Sequence, residues 1–105
     1  MSFPVSQYAK LISEGKTFCA NGLYLDAEVC FINAISIHKP TFEAFYNLAL
    51  VYEKLGDLEK AMGLYTSLLE TNPYKVSLKK RIEFLAGEIR ENQLAIKLYN
   101  NGTFI

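Results

Sequence analysis

The stretch FYNLALVYEKLGDLEKAMGLY, Phe45–Tyr65, holds two helix-like runs separated by a Gly-Asp pair. In the first run, Phe45, Leu48, Ala49 and Tyr52 recur at i, i+3, i+4 and i+7, the spacing of one helix face. In the second, Leu58, Ala61 and Tyr65, continued by Leu68 just beyond the stretch, fall at i, i+3, i+7 and i+10, again one helix face. Gly56 stands where a left-handed residue closes a helix, and Asp57 where a side-chain oxygen caps the next one. The spacing therefore predicts an antiparallel helical hairpin. Its helices meet at Ala49 and Ala61, while Tyr52 and Tyr65 fill the space alongside. Enlarging either alanine would overpack the seam at a cost of about 1–3 kcal/mol.

Working outward, the same residue types return every 34 residues. Ala27, Ala61 and Ala95 form one series, and Phe31, Tyr65 and Tyr99 a second. Gly15 with Ala49, Phe18 with Tyr52, Gly22 with Gly56, and Leu48 with Ile82 keep the same interval. A fixed period of this length marks an array of stacked helical hairpins. Pro40 and Pro73 end the second helix of each of the first two units, because proline disfavours helix at the residue before it.

This pattern resembles the tetratricopeptide repeat. The likeness is closest in the second unit, Phe42–Lys75, through Phe45, Leu48, Ala49, Tyr52, Gly56, Ala61, Tyr65 and Pro73. The first unit, Tyr8–Thr41, keeps Gly15, Phe18, Gly22, Ala27, Phe31 and Ala34. It departs in Glu14, where a leucine is usual, and in Pro40, which falls one residue late. The third, Val76–Ile105, keeps Ile82, Ala95 and Tyr99 but has Glu83 for the small residue and Arg90 for the turn glycine. The resemblance implies an all-α fold of about six helices, a right-handed superhelical array of antiparallel pairs forming a single domain over residues 1–105. Its repeats would be 8–41, 42–75 and a degenerate or truncated 76–105, which could instead serve as a capping helix. A hairpin is expected in this last unit, with one long helix over Tyr74–Asn101 as the alternative. The unit stops short of a full repeat at Ile105, so either the final helix is shortened or the sequence belongs to a longer chain. Glu83 and Arg90 suit a solvated terminal cap.

Composition excludes several classes of function. Eleven basic residues balance eleven acidic ones, whereas nucleic-acid binding calls for a basic surplus. Lys79-Lys80-Arg81 is the densest basic patch and reads as a solvated helix face. No stretch approaches the roughly 20 apolar residues of a membrane span. The start, MSFPVSQYAKLISEGK, lacks the pattern of a secretory signal, so a cytoplasmic location is expected. Cys19 and Cys30 match neither a redox pair nor a zinc site and are expected as small apolar side chains. His38 at a helix end suits the helix dipole, and Asn101-Gly102-Thr103 is read as a chance sequon. With no phosphate loop, nucleophile elbow or carboxylate pair, no catalytic activity, cofactor or metal is expected.

What remains is surface. In the tetratricopeptide family the first helix of each repeat lines a concave groove that holds a partner's peptide or helix. Carried over, the groove comprises Ala9, Ile12, Lys16, Cys19 and Ala20, then Glu43, Tyr46, Asn47, Leu50, Glu53 and Lys54. Ser77, Lys80, Arg81, Phe84 and Glu88 close it. The implied function is a non-catalytic protein–protein interaction module, an adaptor or scaffold. Ile12, Tyr46, Leu50 and Phe84 are its apolar anchors, while Lys16, Asn47, Lys80 and Arg81 orient the partner. Spacing alone says that Tyr46 and Leu50 lie off the hairpin seam, and so either pack on the next unit or meet a partner. One subgroup of the family is made of co-chaperones that clamp chaperone tails with lysine, asparagine, asparagine, lysine and arginine. Asn47 and Arg81 fit that clamp, but Ile12, Lys16 and Ser77 break it. The alternatives are thus a co-chaperone with an altered clamp, and an assembly unit that self-associates through its C-terminal helix.

Overall fold

The computed structural model describes residues 3–37 and 41–100, with side chains from Ser6 onward. They form five helices: α1 (Phe3–Ala20), α2 (Tyr24–Ile37), α3 (Phe42–Leu55), α4 (Leu58–Thr71) and α5 (Val76–Asn100). Each helix packs on the next, α1 also touches α3, and the whole measures 64 × 31 × 20 Å. This is a helical solenoid of consecutively packed pairs, like the tetratricopeptide array expected.

The turns follow the sequence signals. Gly22 and Gly56 take left-handed φ of 76° and 83°. Beyond each glycine the next amide reaches back to close the helix, Leu23 N–H to Phe18 O at 2.9 Å and Asp57 N–H to Tyr52 O at 2.9 Å. Asp57 then turns to the following helix and accepts from Lys60 N–H at 3.3 Å. Thr41 caps α3 in the same way, accepting from Ala44 N–H at 3.3 Å. Asn72, just before Pro73, ends α4 by donating from its side chain to Leu68 O at 2.9 Å. His38, Pro40 and Asn101–Thr103 lie outside the described residues.

The core forms two clusters. Tyr8 and Ile12 of α1, Phe31 and Ala34 of α2, and Leu48 and Val51 of α3 build the first. Ala49, Ala61, Tyr65 and Leu68 meet Leu78 and Leu85 of α5 in the second. Half-buried Tyr52 and Leu64 touch both. Ala49 and Ala61 are fully buried, as a close helix approach demands, and Tyr65 fills the space beside them. Tyr52 plays a smaller part than its spacing suggests: its hydroxyl meets Glu28 near the surface. Burial, then that hydrogen bond, pushes it up to about 12. In the first hairpin Gly15 has the alanine's role, with the Phe31 ring lying directly over it.

The expected count of six helices is corrected to five. The third unit does not fold back, because Arg90 has no glycine's freedom to turn left-handed and residues 88–99 contain neither Gly nor Pro. The helix runs on for 25 residues, about 37 Å at 1.5 Å per residue, against about 21 Å for the 14-residue α4. Ala95 and Tyr99, the positional counterparts of buried Ala61 and Tyr65, are consequently exposed, Tyr99 by 75%.

Candidate functional site: a cleft between α1 and α3

Five of the groove residues converge. Lys16 and Cys19 of α1 and Asn47, Leu50 and Lys54 of α3 line a cleft of about 220 Å³, together with Tyr24 and Val51. The helical register explains the set, since 47, 50, 51 and 54 follow at i, i+3, i+4 and i+7 along α3. Buried Val51 and half-buried Leu50 make an apolar floor, and the lysines stand exposed at its rim. Lys16 Nζ pairs with Glu43 Oε2 at 2.5 Å. Asn47 Nδ2 donates to Glu43 O, one turn back, at 2.8 Å. Burial pushes the Cys19 thiol above its ordinary value, which leaves it an apolar wall and not a nucleophile.

Sequence spacing missed Tyr24 and Val51. Tyr24 begins α2 and reaches the cleft only because the Gly22 turn folds it back beside α1. Val51 sits one residue after Leu50 and joins the cleft only through the packing of α1 against α3.

The remaining expected groove residues lie elsewhere. Ile12 is 5% exposed inside the first core cluster, so it anchors α1 and not a partner. Tyr46 stacks on Phe42 with ring centres 5.5 Å apart and meets Tyr65 edge-on at 5.6 Å. Arg81 is engaged within the chain. Its Nε donates to Glu53 Oε2 at 2.9 Å, a second nitrogen donates to Oε1, and its guanidinium lies 5.1 Å from the Phe84 ring centre. Tyr65 donates its hydroxyl to the same carboxylate at 2.5 Å. Desolvation pushes Glu53 up, but the hydrogen bonds from Arg81 and Tyr65 outweigh it and hold the carboxyl below its ordinary value. Tyr65 is raised, by burial first and then by Glu53. This trio ties α3, α4 and α5 together. Lys80 and Phe84 stay exposed on α5, apart from the cleft.

Among the described residues no cluster of three or more His, Cys, Asp or Glu side chains is placed to hold a metal. No helix among them is long and apolar enough to cross a membrane.

An array of capped hairpins meeting at small residues, with a cleft between successive first helices, is the architecture of one class of repeat protein. Residues 42–75, about a third of the chain, match the family described as tetratricopeptide repeat, and the helices on either side stack on that unit in a tetratricopeptide-like way. It is also 27% identical over 70 residues to the transcription factor tau 131 kDa subunit of Saccharomyces cerevisiae. That match covers 67% of this chain but only 7% of the yeast subunit. No solved structure matches the chain significantly.

Proposed function

We propose that this chain is a non-catalytic module that holds a peptide or helix of a partner protein along the cleft between α1 and α3. Tetratricopeptide repeats generally mediate protein–protein interaction, and the observation that supports this site is the joining of Leu50, Lys16, Asn47 and Lys54 around one apolar floor. Leu50 is the central contact, Lys54 and Lys16 orient the partner, and Lys80 with Phe84 extends the surface onto α5. Residues 1–105 then act as one domain of repeats 8–41, 42–75 and 76–105. A cytoplasmic location remains the expectation; the partial likeness to a transcription factor subunit makes a nuclear one the alternative.

Leu50→Glu tests this reading. Truncating a central anchor costs roughly 2 kcal/mol or more, about a 30-fold loss of affinity. Proteins captured by the wild type and identified by mass spectrometry should be lost from the variant, with helix content retained. The same proteins on both baits would move the binding surface off the cleft.

A second reading, an assembly unit, is favoured by the exposed Leu94, Ile96 and Tyr99 on the part of α5 that runs past α4. On that reading light scattering at high concentration reports a mass above the monomer, and Ile96→Glu restores the monomer. A monomeric wild type rejects it. A co-chaperone role is the weaker alternative, because Arg81 is paired with Glu53 and Asn47 bonds its own helix.

A further inference from the structure

The charges of this molecule are unevenly placed, although the totals cancel. Helices α2 and α4 carry Asp26, Glu28, Glu59 and Glu70 against Lys60 alone. The lining of the α1/α3 cleft differs: it holds Lys16 and Lys54 and no acid. The two acids of α3 are already engaged: Glu43 with Lys16, and Glu53 with Arg81 and Tyr65. Lys54 makes no ion pair among the described residues, yet lies close enough to Glu53 to help hold it ionised. The cleft thus presents one uncommitted ammonium, and a second held only by an exposed pair with half of each side chain in solvent. Both stand over an apolar floor. Its volume of about 220 Å³ falls below the 300–1,000 Å³ of pockets that enclose drug-sized ligands. A side chain or two of a protein segment fits that space better than a free metabolite.

Resting on the proposed binding function, we infer that the cleft selects a partner segment in which an acidic side chain stands beside an aliphatic one. The aliphatic side chain sits over Leu50 and Val51, and the carboxylate meets Lys54, with Lys16 free to exchange Glu43 for it. The two contributions differ in kind. Burying the aliphatic group removes water and sets the affinity. The exposed ion pair changes affinity by only about twofold to fivefold; it discriminates between segments and weakens as salt screens it.

A display library of random heptapeptides, selected on the full chain, separates these contributions. Wild type should enrich Asp or Glu next to Leu, Ile or Val, and the acidic bias should flatten at high salt while the aliphatic bias persists. Lys54→Glu should turn the acidic preference into one for Lys or Arg and leave the aliphatic preference intact. Lys54→Gln, which disturbs Glu53 less, should abolish the acidic bias without reversing it. Aliphatic enrichment with no acidic bias, or a bias unmoved by both Lys54 variants, overturns the inference and leaves the cleft as the binding site. No enrichment at all, or the same enrichment on Leu50→Glu, overturns the site itself and the inference with it.

Discussion

Replacing Glu53 with alanine should lower stability by about 2–4 kcal/mol, and Glu53→Gln by about half as much. The Glu53 side chain is 8% exposed and receives three donors from two other helices. Alanine leaves the hydroxyl of fully buried Tyr65 without its acceptor, which costs about 1–3 kcal/mol. It also strips a partner from Arg81. Removing one member of a fully buried pair costs about 3–5 kcal/mol, but the Arg81 side chain is 41% exposed, so solvent recovers much of that share. Glutamine keeps an accepting oxygen for Tyr65 but loses the charge and one of the two oxygens that accept from Arg81. In a domain of this size each kcal/mol moves Tm by about 4–8 °C, so thermal melts resolve the series. Equal, negligible losses for both variants would show that the trio does not hold α5. The pH dependence has a definite sign. Glu53 has a depressed folded pKa, so its contribution is present above the ordinary carboxylate value near 4.3 and lost as pH falls through the folded one. The gap between wild type and Glu53→Gln should therefore close on acidification.

Phe31→Ala should cost about 3–5 kcal/mol, since its ring is wholly buried and alanine leaves a cavity. The same ring makes Gly15 intolerant of growth. A Cβ at residue 15 would lie 2.6 Å from Phe31 Cε1, too close for real atoms. Gly15→Ala should destabilise by about 1–3 kcal/mol through overpacking, against a helix-propensity gain of at most about 1 kcal/mol. Gly63 is the control. It lies within α4 with nothing in reach of an added Cβ, so Gly63→Ala should stabilise by about 0.5–1 kcal/mol. The double variant Gly15→Ala, Phe31→Leu should be more stable than the sum of its single changes. Additive losses in denaturant melts would refute direct contact between the two positions.

The second unit was the most legible part of the fold. Gly56, Asp57 and the 34-residue recurrence of small and aromatic side chains are local signals, and the chain obeys them. The third unit was half legible: Glu83 and Arg90 announced a departure, but a missing stop signal does not say how far a helix will run. The candidate site was read less completely. The positions carried over from the tetratricopeptide resemblance included Lys16, Asn47, Leu50 and Lys54, and the cleft brings them together. Whether Ile12 faced inward depended on how α1 packs against α2 and α3, which the groove positions did not settle. Arg81 looked like a free donor because its partner, Glu53, stands 28 residues away on another helix. Such long-range polar pairs leave no periodic trace.

The division of the core into two clusters, touched in common by Tyr52 and Leu64, bears on cooperativity. In a repeat array, stability is approximately the sum of each hairpin and its nearest-neighbour seam, so hairpins can open separately. Here the α1–α2 hairpin belongs to one cluster, and α4–α5 to the other. The cleft straddles that division, taking Lys16 and Cys19 from one cooperative unit and sharing α3 with both. Opening the first hairpin dismantles the cleft while the second unit stands. A ligand bound there consequently acts as a clasp between two folding units, and its affinity is linked to the free energy of local unfolding at the N-terminal hairpin.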